Sequence, residues 1–454
     1  MEIEEMVSKI LELIQEKKIR EIKAELSSLE EVDIADIMNK LPLDSSLLLV
    51  FRLLDKNVSS EIFANLDSEE QEYIINSITD KEVGLIIEEL FTDDAVDMLE
   101  EMPANVVKRV LQNAKPETRN LINQFLKYPE SSAGSVMTSE FVELKSNMTV
   151  NEAVNHLRKV AEEKETIYTC YVTDKTRILK GVVSIKDLLL AQPDDILEDI
   201  MEKDILSAHT LDDQEEVAQD FAKYDLIALP VLDNEERLVG IITIDDIVDV
   251  MTEEATEDIM KMNAIVPTEE PYLKTSAFKI ARSRIVWLMV LMLTSIISGL
   301  ILERFEDAIA TLPFLIVFIP MLMDSGGNAG SQASTTIIRG LATNEITLRD
   351  CLKVAWKEIR VALMCGLILC TFMVGRILIQ YHNVPQGPLK LIISVTGAML
   401  ATITAAKLVG SLLPMLAKKI HLDPAIVATP MLTTIVDATA LSIFFILVKL
   451  MYNI

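Results

Sequence analysis

The sequence predicts a multidomain chain, α plus α/β plus α-helical membrane: an acidic helical superhelix, a tandem α/β repeat, a connecting linker helix and a five-span transmembrane domain. Three observations predict it. About 170 residues at the C-terminal end read as membrane, the chain before them is acidic to an extreme, and a strand-to-helix segment occurs twice in the middle. From Thr275 on there are 15 Lys and Arg against 9 Asp and Glu, which leaves 27 against 61 in residues 1–274, a net of −34 where the whole chain carries −28. A surface with this much uncompensated carboxylate repels itself, so it tolerates the strain or recruits cations. Nucleic acid and anionic headgroups are poor partners for it. The chain begins MEIEEMVSK, acidic where a signal peptide needs a basic start and an apolar run, so the N-terminus is expected in the cytoplasm. Cys170, Cys351, Cys365 and Cys370 form no CxxC pattern and are expected to be reduced core residues.

Residues 1–130 are expected to form the helical superhelix. Units one helix long, each ending in a turn signal, recur as IADIMNKLP, EIFANLD, YIINSITD, LIIEELFTD, AVDMLEEMP and VKRVLQNAKP. None can bury its own apolar face, so neighbours must stack into a curved array. FTDDAVDMLEEM sets Asp93 and Asp97 four residues apart on one helix face, where like charges oppose unless a cation or base lies between. Spacing alone favours a solvated acidic face.

Residues 131–250 change period and repeat. GVVSIKDLLLA at 181–191 matches GIITIDDIVDV at 240–250, and MTSEFVELKSNMTVNEAV at 137–154 loosely matches MEKDILSAHTLDDQEEV at 201–217. Each half reads strand, helix, strand, strand, helix, with halves of about 131–195 and 196–250. The pair resembles tandem CBS domains. The resemblance implies that Ser184 with Asp187, and Thr243 with Asp246, hold the ribose and phosphates of ATP or another adenosine nucleotide. The alternative is that these residues cap helices and bind nothing.

The linker follows, at 251–274, on a helix that begins near Asp245. Ile247, Met251, Ala255 and Ile259 recur every fourth residue, while Asp246, Asp249, Glu253, Glu254, Glu257 and Asp258 supply acid on other faces. Such a helix can pack on one side and transmit motion.

The membrane domain is expected at 275–454, with spans near 285–302, 312–335, 354–380, 389–416 and 425–449, each about the 20 residues that the hydrocarbon core requires. Lys274, Lys279, Arg282 and Arg284 precede the first span, Arg339, Arg349, Lys353 and Lys357 follow the second, and Lys418 and Lys419 follow the fourth. The positive-inside rule then places the N-terminus inside and the C-terminus outside. The second span is interrupted by PMLMDSGGNAGSQASTT at 320–336, tolerated only if buried in protein or lining water. Gly326, Gly327 and Gly330 permit close helix approach, and Asn328, Ser331 and Gln332 bring polar atoms with them. The fifth span holds PMLTTIVDATA, whose Asp437 sits near mid-membrane, where an ionised carboxylate costs at least a few kcal/mol, on the order of 2.5–3.5, unless paired or hydrated. Lys407 and Arg376 are the candidate partners; otherwise the group faces a cation.

The order of these parts, with DSGGNAGSQA in the second span and HLDPA followed by PMLTTIVDATA in the fifth, closely resembles the MgtE family of bacterial magnesium channels over essentially the whole chain. The resemblance implies a homodimer in the bacterial inner (plasma) membrane, with one pore on its two-fold axis that the cytosolic domains close when Mg2+ is plentiful. It assigns Asp437 to the pore with Gly326, Gly327, Asn328 and Gly330 lining it, and Asp423 to the cytoplasmic mouth. It assigns Mg2+ sensing to Asp93 and Asp97, to Asp213, Asp225 and the carbonyl of Ala222, and to Asp246, Asp249, Glu254, Glu257 and Asp258. Asp324 has no counterpart in that pattern.

Mg2+ dehydrates reluctantly and prefers octahedral oxygen, so carboxylates and carbonyls meeting a water shell suit it. Clustered carboxylates would hold the cytosolic layers apart at low Mg2+ and be bridged by bound ions at high Mg2+. A water-mediated site reads size and charge loosely, so Co2+, Mn2+ or Ni2+ are alternative substrates. Two other classes compete: a CBS-regulated membrane pyrophosphatase, which needs more Asp-rich motifs and spans, and a nucleotide-sensing scaffold that transports nothing. With four histidines and no nucleophile constellation, the chain is not expected to be an enzyme.

Overall fold

The computed structural model describes residues 3–268, 272–382, 387–427 and 429–453. The chain divides into two compact units, Met1–Met251 and Thr252–Ile454.

In the first unit, short amphipathic runs form the helices α1 (Ile3–Gln15), α2 (Ile19–Leu26), α3 (Glu31–Met38), α4 (Ser45–Leu53), α5 (Lys56–Ala64), α6 (Ser68–Ser77), α7 (Asp80–Glu89), α8 (Thr92–Glu101), α9 (Ala104–Asn113) and α10 (Pro116–Phe125). Their boundaries are chemical. Asp44 caps α4 by accepting the Ser46 N–H, Thr79 and Glu82 form a capping box on α7, and Pro116 opens α10. Ile78, Leu90, Met102 and Ala114 leave the helices in extended conformation and turn the chain back. Helices two apart in sequence stack, α1 on α3, α3 on α5, α5 on α7, α7 on α9, and likewise α4, α6, α8 and α10. The expected superhelix is therefore present. Its core is a continuous row of Ile10, Ile22, Met38, Leu47, Phe63, Ile74, Val83, Val96, Val106 and Val110. The Arg109 guanidinium donates to the Ile75 and Ile78 carbonyls at 2.5 and 2.8 Å and to Asp80 at 2.9 Å, so it satisfies the orphan carbonyls that end α6.

The repeat folds as two equal three-stranded sheets. Strand β1 (Glu143–Lys145) runs parallel to β2 (Thr169–Thr173), which pairs antiparallel with β3 (Leu179–Ser184); β4 (Ala208–His209), β5 (Ala228–Leu232) and β6 (Leu238–Thr243) do the same. Thr169 pairs Ser184 as Ala228 pairs Thr243, and each sheet carries its irregularity at the equivalent place, Val172/Thr173 and Val231/Leu232. Helices α11 (Val150–Val160) and α12 (Ile185–Leu190) belong to the first half, and short α13 (Leu197–Ile200) leads into the second. The second half holds α14 (Gln214–Tyr224) and α15 (Ile244–Met262). The halves exchange their leading segments: Thr138 bridges Ile241 of β6, and Glu202 bridges Val182 of β3.

The second unit holds the end of α15, the long helices α16 (Ala277–Arg304), α18 (Ile319–Ala342), α19 (Cys351–Gln380), α20 (Pro388–Lys419) and α22 (Thr429–Tyr452), and the short α17 (Glu306–Thr311) and α21 (Pro424–Val427). Among the described residues α16, α19, α20 and α22 are long and apolar enough to cross a membrane. The expected second span, α18, has 24 residues but carries the polar motif, and it differs from expectation in being one unbroken helix. The physical reason is that its small and polar residues separate by face. Gly326, Gly327 and Gly330 are buried against α20 and α22, while Asp324, Asn328, Gln332 and Thr336, every fourth residue, are exposed. Two further expectations need correction. Cys365 is exposed on α19 instead of buried, on a face it shares with the exposed Met364 and Ile368. The apolar stripe of α15 packs only at Ile247 and Val250; Met251 and Ile259 are 47% and 61% exposed, since the helix runs on past the sheet it packs against.

The tightest crossing in the membrane unit is glycine on glycine: a methyl at Gly410 would collide with the Gly330 carbonyl, and one at Gly326 would lie 2.7 Å from Thr402 Cγ2 and 2.8 Å from Val436 Cγ1. Gly410→Ala is expected to destabilise the folded protein by about 1–3 kcal/mol or abolish folding. Gly299→Ala, where a methyl meets nothing within 4 Å, is expected to change stability by less than about 0.5 kcal/mol. Fluorescence-detected size exclusion after heating reads both, and equal losses would refute the packing argument.

Candidate cation sites

Helix α8 opens with Thr92, Asp93 and Asp94, and its start is fixed by Glu140. The Glu140 carboxylate accepts the Thr92 hydroxyl at 2.8 Å, the Thr138 hydroxyl at 2.8 Å and the Ser139 N–H at 3.0 Å. Helix α15 opens with Asp245 and Asp246 after β6. The fold thus collects acids on two helix N-termini, where the macrodipoles offset part of their repulsion. Burial pushes Asp93 well above the usual carboxylate range, and Asp246, Asp94 and Glu165 push it further. Burial and then Asp245 raise Asp94 to about 6; burial also raises Asp246 to about 6, although the Thr243 hydroxyl at 2.7 Å pulls the other way. Glu165 is pushed up to about 8 by burial and by Asp245, Asp246 and Asp94.

Of the acids singled out by sequence, Asp93 and Asp246 meet here. Asp97 and Asp249, farther along the same two helices, are exposed. Sequence reading missed Asp94, Glu140 and Glu165. Asp94 had a signal, as the neighbour of Asp93; Glu140 and Glu165 lie in connecting segments with none. Asp213 and Asp225 cap opposite ends of α14, roughly 16 Å apart for 11 residues, with the Ala222 carbonyl beside Asp225. Asp213 spends its carboxylate on the Glu215 N–H at 2.8 Å.

The nucleotide candidates are engaged in caps. Ser184 and Asp187 form a reciprocal capping box on α12, with backbone-to-side-chain bonds of 3.1 Å each way, and Thr243 donates to Asp246.

In the second unit, Glu254, Glu257 and Asp258 lie on the last turns of α15. Burial and Asp423 raise Asp258 to about 6 while Lys261 opposes them. Asp437 is half-buried, the ninth residue of α22, about 12 Å from its start, and next to Val436, which packs on Gly326. Neither candidate partner reaches it. Lys407, 7% exposed in its side chain, pairs with Glu358 at 3.5 Å, and Arg376 donates to Gln380 at 3.0 Å and lies over the Phe318 ring. The Lys407–Glu358 pair joins α20 to α19 and had no sequence signal, since its members are 49 residues apart.

These acids and carbonyls are all-oxygen donors, and among the described residues no three or more are disposed to enclose a bare ion. Oxygen donors of this kind suit a hard cation such as Mg2+.

The chain matches family models described as "Divalent cation transporter" over 319–447, "MgtE intracellular N domain" over 29–131 and "CBS domain" over 133–194 and 197–253. It is 36% identical over 453 residues to "Magnesium transporter MgtE" of Thermus thermophilus, covering 99% of each chain, and 31% identical to that of Bacillus subtilis, covering 98% and 97%. Two crystal structures align with its soluble part. One is "the soluble part of a magnesium transporter", at 30% identity and TM-score 0.52, covering 56% of this chain and 100% of that one. The other is "the cytosolic domain of the Mg2+ channel MgtE in complex with ATP", at 36% identity and TM-score 0.51, covering 54% and 99%.

A pH prediction follows from the raised carboxyls. Protons bind the folded cluster more tightly than the unfolded chain, so their stabilisation is complete below about pH 4 and is lost as pH rises through about 6 and about 8. In chelator, the melting temperature of a soluble fragment of residues 1–262 is expected to fall between about pH 5 and 8.5, and added Mg2+ at the upper end to recover it. A melting temperature that does not fall with pH would sink this account of the cluster.

Proposed function

Since the chain belongs to the MgtE family of magnesium transporters, we propose that it is a homodimeric Mg2+ channel that takes up Mg2+ and closes when cytosolic Mg2+ fills its acidic sites. One observation carries this reading: Asp437 lies inside an apolar helix, and the two basic residues considered as its partners, Lys407 and Arg376, are engaged elsewhere. An ionised carboxylate there requires hydration or a cation. The exposed stripe of Asp324, Asn328, Gln332 and Thr336 on α18 supports a five-span domain in which this helix meets water or a second copy. Gly326, Gly327 and Gly330 bring α18 close to α20 and α22, and Asn328 lies beside them on the exposed stripe; we assign all four to the pore wall with Asp437, and Asp423 to its mouth.

For gating, Asp93, Asp97, Asp246 and Asp249 form one sensing group, Asp213, Asp225 and the Ala222 carbonyl contribute on α14, and Glu254, Glu257 and Asp258 act on the linker. At low Mg2+ their repulsion opposes compaction; bound hydrated ions would bridge them. The N-terminus lies in the cytoplasm and the C-terminus outside, so entry runs with the membrane potential, which gives a divalent ion about 4.6 kcal/mol per 100 mV. The relative solved with ATP supports an adenosine nucleotide at Ser184, Asp187, Thr243 and Asp246. No catalytic role is assigned.

Mg2+ flux into proteoliposomes tests the reading. Asp437→Ala is expected to cut flux at least about tenfold, the effect of removing a charge worth a few kcal/mol, and wild-type flux to fall as Mg2+ on the cytosolic face rises. Absence of wild-type flux under all conditions would favour a scaffold; equal flux of Co2+, Mn2+ or Ni2+ would favour a broader divalent transporter.

A further inference from the structure

The end of α20 sets up a contact that the proposed sensing acids do not account for. The helix stops at His421, whose φ of 58° is left-handed, with the Leu422 N–H bonded to the Ala417 carbonyl at 2.9 Å and the His421 N–H to Lys418 at 3.2 Å. Asp423 follows at once. Its Oδ1 accepts the Ala425 N–H at 2.7 Å, which fixes the carboxylate and leaves Oδ2 free for another partner. That partner is Lys261, on the last turn of α15, with Nζ 2.9 Å from Asp423 Oδ2 and 2.8 Å from Glu257 Oε1. A Glu–Lys pair four residues apart is common on exposed helices and contributes little. Here the same ammonium also reaches a second carboxylate, from a segment about 160 residues later, with its side chain only 22% exposed. Glu254, Glu257 and Asp423 all act against the Asp258 carboxylate, and Lys261 offsets them. The two carboxylates hold the Lys261 charge above its usual range although burial alone would lower it.

We propose that Lys261 is a built-in cation of the linker helix, which holds the helix to Asp423 when divalent cation is scarce and which a divalent ion must displace to bridge Glu257 and Asp423. The proposal rests on the reading of these acids as a cation-sensing site. An ammonium and a metal ion cannot both occupy the space between the same two carboxylate oxygens, so the lysine raises the concentration at which the ion takes over. It also keeps the helix from being driven off by acid repulsion in the absence of metal.

The test is limited proteolysis of the linker in the full-length, detergent-solubilised protein, read as cleavage rate in chelator and as the Mg2+ concentration giving half-protection. For Lys261→Met, cleavage in chelator is expected to be about threefold faster and half-protection to need about threefold less Mg2+, the size of a partly exposed ion pair. Lys261→Arg keeps the charge and is expected to stay near wild type in both, and Lys261→Gln repeats the measurement if the Met variant aggregates. Faster cleavage without a lower midpoint indicates a merely structural lysine and overturns the proposal, as does no change in either. A wild type that Mg2+ does not protect removes the sensing reading and the proposal with it.

Discussion

Repulsion among buried carboxylates is the constraint around which the first unit is built. Asp93, Asp94, Asp246 and Glu165 are brought together although burial and mutual charge raise each of them. Hydrogen bonds from Thr92, Thr138 and Ser139 to Glu140 and the N-termini of α8 and α15 hold this arrangement. The helical stack and the second sheet share one apolar core from Met6 to Val250, and the first sheet has a core of its own from Val142 to Leu197; together they supply the packing that offsets it. A cluster of this kind is destabilised when ionised and stabilised by whatever neutralises it, proton or metal. That is the electrostatic condition a cation-sensitive switch requires.

The membrane unit follows the opposite logic. Its buried Lys407 is paired inside the chain with Glu358, while Asp437 stands half-buried within an apolar helix. Glycine-mediated contact of α18 with α20 and α22 turns the polar residues of α18 outward on one stripe. The contact that makes the helices compact is therefore also what decides which polar atoms remain available to water or a second chain. Asp437 lies one residue from Val436, which seats on Gly326.

The linker helix shows how these two regimes meet within one element. Its first turn carries Asp245 and Asp246, which repel the neighbouring acids Asp94 and Glu165, and its last turn carries Lys261, which compensates Glu257 and Asp423 directly. If the two ends respond to cations as proposed, different terms govern them: repulsion relieved by binding at one, an ion pair exchanged on binding at the other.

Much of this was legible in the chain alone. Helix-length apolar units, the twice-used GVVSIKD and GIITIDD segments and the long apolar runs are local periodic signals, and burial of one face per element follows from them. Asp437 was conspicuous because a lone carboxylate in an apolar run is costly wherever the helix sits. What only tertiary structure decided were relations between segments far apart in sequence: Glu165 beside Asp94, Lys407 beside Glu358, Lys261 beside Asp423, and which face of the DSGGNAGSQA helix turns inward. Composition and periodicity act within a few turns of chain, whereas electrostatic partners are chosen by packing, and one sequence carries no record of distance between residues that packing alone makes neighbours.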